Sequence, residues 1–101
     1  MKIKPGVQLS GIQPEMLIGL MVIEPMFNAK GVDLVITSCT DSEHSNMSRH
    51  YIGYGLDIRT RDFDPDDLIP FEAELQLALG TEFYLKFEVN HYHLQFNGSK
   101  R

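Results

Sequence analysis

A chain of 101 residues has room for one domain with one modest core, which argues against a catalytic domain joined to a separate binding module. Its composition, 43% hydrophobic and 23% charged, is that of a globular protein and not of a disordered one. A net charge of -5 with nine scattered basic residues argues against nucleic-acid binding, which needs clustered Lys and Arg to neutralise phosphates.

The N-terminal stretch carries Lys2 and Lys4 ahead of an apolar run from Met16 to Ile23. Pro14 and Glu15 interrupt the approach to that run, no small-residue cleavage site follows it, and it is too short to span a bilayer. A soluble protein is expected, made in the cytoplasm without a signal peptide and without membrane insertion. From Gln13 to about Ala29, Met16, Leu17, Leu20, Met21, Ile23, Met26 and Phe27 recur at helical spacing, which predicts a core helix. Pro14 suits its first turn and Gly31 its stop, while Pro25 predicts a kink or a break and restart.

Asp33 to Thr37 reads as a buried strand, and Ser38 to Arg49 as a long polar loop. The lone Cys39 rules out an intrachain disulfide framework and reads as a small packed side chain. A short strand is expected from Gly55 to Arg59. Asp64-Pro65 then opens a second helix whose Leu68, Phe71, Leu75, Leu77 and Leu79 face inward until Gly80. Phe83 to Val89 and His91 to Phe96 alternate in the β manner, with Asn90 as a turn or bulge, and Asn97 to Arg101 form a frayed tail.

Two polar clusters stand out. Ser48 to Asp57 fits S-x-H-x-x-G-x-x-x-D, in which Gly53 and Gly55 let the chain fold back so that His50 and Asp57 reach one ion. In Glu88-Val89-Asn90-His91-Tyr92-His93 the two histidines, two apart, share one face of a strand. Glu88 has the opposite parity, so it joins that face only if the chain bends near Asn90, and that bend is predicted. Two histidines and a carboxylate, with water in the fourth position, make up the inventory of a catalytic zinc site. Ser48 reads as a turn hydrogen-bonder, His44 as an exposed loop residue, and Arg59 to Asp64 as a solvated connection. Tyr51, Tyr54, Tyr84 and Tyr92 interleave with the site and read first as packing residues.

These residues resemble the LAS-type zinc peptidases, a group that includes D-Ala-D-Ala carboxypeptidases, phage L-alanyl-D-glutamate endolysins and the hedgehog signalling domain. The resemblance is to S-x-H-x-x-G-x-A-x-D followed downstream by H-x-H, and it spans roughly Val32 to Phe96, with Gly55 in place of the alanine. It implies a hedgehog/DD-peptidase-like α+β fold, a small antiparallel-dominated sheet with the metal on one face and two helices on the other. It also implies that His50, Asp57 and His93 bind zinc (Zn2+), that Glu88 is the base and that His91 steadies the transition state. The function it implies is zinc-dependent hydrolysis of a peptide bond in a bacterial peptidoglycan stem by a phage or prophage type of enzyme, acting on the cell wall after release or in a virion.

The family's carboxylate-binding arginine has no counterpart after Thr37-Ser38, where Asp41 lies instead. That disfavours a carboxypeptidase and favours an endopeptidase, with Arg49, Arg59 and Arg61 left as candidates to meet a substrate carboxylate. The alternative is a zinc-stabilised binding domain without turnover on the same scaffold. Oligomeric state is not readable from the sequence.

Overall fold

The computed structural model describes residues 1–39 and 54–98. Strand β1 (Lys2–Ile3) leads to helix α1 (Pro14–Ala29), followed by β2 (Val35–Ser38) and β3 (Gly55–Arg59). A 3-10 turn (Pro65–Asp67) feeds α2 (Leu68–Leu79), and the chain closes with β4 (Phe83–Glu88) and β5 (His91–Phe96). The five strands form one sheet in the order β1-β2-β3-β5-β4, in which only the β1-β2 pair is parallel. The expected α+β class, with two helices and an antiparallel-dominated sheet, is therefore the observed one. Among the described residues, no helix is long and apolar enough to cross a membrane.

One face of the sheet meets the helices. Ile36, Leu56, Ile58, Leu85, Tyr92 and Leu94 project from the strands into the same core as Met16, Leu20, Ile23 and Phe27 of α1 and Phe71 and Leu75 of α2. On α1 the buried positions are Met16, Gly19, Leu20, Ile23 and Phe27, a narrow stripe at helical spacing. Leu17 and Met21, expected in the core, lie outside that stripe and are exposed. Helix α1 runs unbroken through Pro25. The ring removes the bond to the Met21 carbonyl one turn back, but Pro25 and Met21 are both exposed, so water can satisfy the orphaned oxygen.

Asp64-Pro65, expected to open the second helix, opens the 3-10 turn ahead of it, with the Asp64 carboxylate accepting from the Asp66 N–H at 3.0 Å, and α2 itself begins at Leu68. It buries Leu68, Phe71 and Leu75. Leu77 points the other way and is 86% exposed, a correction to the expected inward set. Gly80 ends the helix at φ 90, a conformation that a Cβ would resist.

Two polar side chains of α2 secure the outer strand. The Gln76 amide donates to the Gly80 and Phe83 carbonyls at 3.0 and 2.9 Å and accepts from the Leu85 N–H at 2.8 Å. Glu72 accepts from the Phe87 N–H at 2.7 Å. Three backbone groups on the free side of β4 are thus satisfied by a helix and not by another strand. Asn97 and Gly98, expected to fray, instead donate their N–H groups to the Glu82 carbonyl at 2.8 and 3.2 Å. Strand β1, two exposed residues, was not expected; Lys2 pairs with Val35 and Ile3 with Ile36.

Candidate functional site

Strand β5 is anchored by what alternates with its histidines. Tyr92 is fully buried among Phe27, Phe63, Phe71 and Phe87, with ring centroids 5.9–6.5 Å away, and its hydroxyl donates to the Leu68 carbonyl at 2.5 Å. Burial, with the charges of Glu72, Asp67 and Glu74, holds that hydroxyl well above the usual tyrosine range, so it remains a donor. With Tyr92 and Leu94 fixed in the core, the pleat sends His91, His93 and Gln95 to the opposite face.

Register then completes the set. His93 stands opposite Asp57, His91 opposite Arg59, and Gln95 opposite Gly55. Across the other edge of β5, Glu88 stands opposite His91. The bend expected near Asn90 is a tight hairpin through Val89 and Asn90, and it brings Glu88 onto the histidine face. Val89 adopts φ 55, unusual for a β-branched residue, and is 92% exposed. Gly55, expected to help a fold-back, is a buried residue of β3.

Asp57 is the hub of the cluster. Its Oδ1 lies 3.2 Å from His93 Nδ1 and 3.6 Å from His91 Nε2, and His91 Nε2 lies 3.4 Å from Glu88 Oε1. Asp57 and His93 are each 13% exposed, His91 27% and Glu88 46%. The far nitrogen of His93, Nε2, meets Gln95 Oε1 at 2.9 Å, and the Gln95 amide nitrogen donates to Asn97 Oδ1 at 2.7 Å. A protonated ring can donate to both oxygens at once, from Nε2 to Gln95 and from Nδ1 to Asp57, and a neutral ring that donates from Nε2 leaves Nδ1 able to bind a metal ion shared with the carboxylate. Burial pulls the His93 pKa down, but hydrogen bonds with Asp57 and Gln95 and the charges of Asp57 and Glu88 outweigh it and raise the ring above its usual value.

The donor set suits zinc, which takes imidazole nitrogen and carboxylate oxygen. A tetrahedral ion with bonds of about 2.1 Å sets neighbouring ligand atoms about 3.4 Å apart, and Asp57 Oδ1 lies 3.2 Å from His93 Nδ1. Among the described residues, no group of three or more His, Cys, Asp or Glu side chains is arranged to hold a metal ion. His50, the expected third ligand, lies outside the described residues, as do His44, Ser48, Arg49, Tyr51 and Gly53. Of the expected site residues, Asp57, His93, His91 and Glu88 are brought together.

Sequence reasoning missed Gln95, although its place two residues beyond His93 puts it on the same strand face. The other residues expected to pack do so. Cys39 is buried with its sulfur 3.9 Å from the Gly55 carbonyl, Tyr54 stacks at a tilt on Phe96, and Tyr84 meets His93 edge-on at 6.3 Å. Comparison with protein-family models, with curated proteins and with solved structures finds no match to this chain.

Proposed function

We propose that this face is the site of a zinc-dependent peptidase that hydrolyses a peptide bond in bacterial peptidoglycan, an endopeptidase of phage or prophage type acting on the wall after release or from a virion. The observation that carries the reading is the Asp57–His93 pair, with Gln95 Oε1 against the far ring nitrogen and with Glu88 and His91 alongside. Its residue types and order support the resemblance to the LAS-type peptidases.

In this reading His50, Asp57 and His93 hold zinc. When bound, zinc supplies Lewis-acid polarisation of water and of the scissile carbonyl at neutral pH. Glu88 takes up the proton of the attacking water at Oε1, and its exposure leaves room for that water. His91, with Nδ1 against Asn90 Oδ1 at 2.9 Å, presents Nε2 to the oxygen that gains charge in the transition state. Gln95 fixes the His93 ring so that its nitrogen is not free to rotate away from Asp57.

The test has two stages. Elemental mass spectrometry should find about one zinc per chain in the wild type and none in His50→Ala or His93→Ala. Mass spectrometry of muropeptides digested by the zinc-loaded protein should then reveal new termini. Glu88→Gln should lower kcat by about 10²–10⁴ at unchanged zinc content, the loss expected when a general base is removed. Zinc retention without new termini would instead select the binding-domain reading, and a reconstituted wild type without zinc would overturn both.

A further inference from the structure

Helix α1 is apolar on two opposite sides. Its buried stripe, from Met16 to Phe27, faces the core. Opposite that stripe, at three- and four-residue spacing, Pro14, Leu17, Ile18, Met21, Val22 and Pro25 form a second one that contains no charged residue. The two charged residues of the helix, Glu15 and Glu24, stand at the edges of this outer stripe. A helix that is hydrophobic all round is one that is buried all round, yet here the core covers one side only. Pro14 and Pro25 are exposed, and Leu17, Ile18, Met21 and Val22 are 38–70% exposed.

The adjacent helix extends the surface. Phe27 of α1 and Phe71 of α2 meet beneath it with ring centroids 5.3 Å apart, and Leu77 of α2 points outward into solvent. At one end of the stripe, Ile18 lines a recess of about 120 Å³ with Phe83 and Phe96. The exposed parts of the six α1 residues and Leu77 amount to roughly 700 Å², more than the largest apolar patch of a typical monomer, roughly 300–600 Å². Two such surfaces set face to face withdraw roughly 1,400 Å² from water, which is within the range of a stable, specific interface.

We propose that this surface pairs with a second copy of the chain, helix layer against helix layer about a twofold axis. A twofold contact needs a surface that complements itself, and an uncharged apolar stripe does so without opposing like charges, because its glutamates lie at the rim. A lipid surface is the poorer occupant. Helices that lie on membranes carry Lys and Arg beside their apolar side, whereas glutamates flank this one in a chain of net charge -5. The pairing uses no strand edge and leaves the sheet face that carries Asp57, His91 and His93 open on both copies.

Sedimentation equilibrium of the full chain up to about 200 µM tests the pairing, and the wild type should dimerise with a Kd below about 100 µM. Leu17→Ser/Met21→Ser should weaken the dimer about tenfold or more with an unchanged circular dichroism spectrum, because both side chains are exposed in the single chain. Met21→Glu alone, which sets two like charges across the interface, should do the same and provides the comparison if the double variant does not fold. A wild-type Kd above about 100 µM would overturn the proposal. So would a dimer that these variants weaken less than tenfold, since its interface then lies elsewhere. A monomer that co-sediments with phosphatidylcholine vesicles would reassign the stripe to a lipid surface. The measurement needs neither metal nor turnover, so its failure leaves the peptidase reading standing, and a failure to bind zinc leaves the dimer standing.

Discussion

Strand β5 has two faces that differ in everything except their backbone. Tyr92 and Leu94 are fully buried and touch both helices' side of the core, whereas His91, His93 and Gln95 form a hydrogen-bonded polar row against Asp57 and Glu88. The apolar face supplies stability and fixes register. The polar face makes use of that register, because a slip of one residue would bury the histidines and turn Tyr92 outward. The precision of the site is thus bought on the opposite side of the sheet.

The sharpest way to break this division is Leu94→Ala. Truncating a fully buried leucine should destabilise the fold by about 3 kcal/mol, read from urea denaturation. If Asp57 holds zinc as proposed, Asp57→Asn, by contrast, should abolish zinc binding while moving the urea midpoint little. If both substitutions cost similar stability, the two faces are not separate in function.

Tyr92→Phe keeps the ring in its aromatic cluster and removes only the hydroxyl bond to Leu68, so a loss of about 1 kcal/mol is expected. Val89→Asn should act in the other direction. It relieves a β-branched residue held at φ 55 and should stabilise the fold by about 1 kcal/mol with the hairpin, and so Glu88, unmoved.

The smallest effect expected is a pH dependence. The His93 pKa is raised in the fold, so in metal-free protein its charged form contributes stability that is fully present below the ordinary histidine value and is lost as pH climbs through the raised one. Zinc requires the neutral ring, so zinc affinity should strengthen over the same rise in pH. Thermal unfolding with and without zinc across this range should show opposite slopes, and His93→Gln should flatten both.

Much of the fold could be read in advance wherever pattern and punctuation agreed. Gly55–Arg59 is a strand with the expected bounds, and Pro14 and Gly80 mark helix ends. Helix periodicity was less informative about width: Leu17, Met21 and Leu77 fit the spacing, but how many flanking positions are buried depends on what packs against the helix. Strand β1 carries too few residues for any alternation to register. In the site, the i, i+2 spacing of the histidines and a turn near Asn90 were legible, yet Val89, and not Asn90, takes the positive φ. That Lys4, Arg59 and Arg61 line one cleft with His91 was not legible, because it depends on cross-strand pairings with no local signature.

The helix side chains along β4 carry a consequence for how the molecule assembles. Gln76 and Glu72 act as a surrogate neighbouring strand, occupying the donors and acceptor that a second copy would need to extend the sheet. Until α2 docks during folding, that edge is a template for intermolecular pairing. Helix docking is then the step that protects the chain from association, and Gln76→Ala should reveal it as a refolding yield that falls steeply with protein concentration.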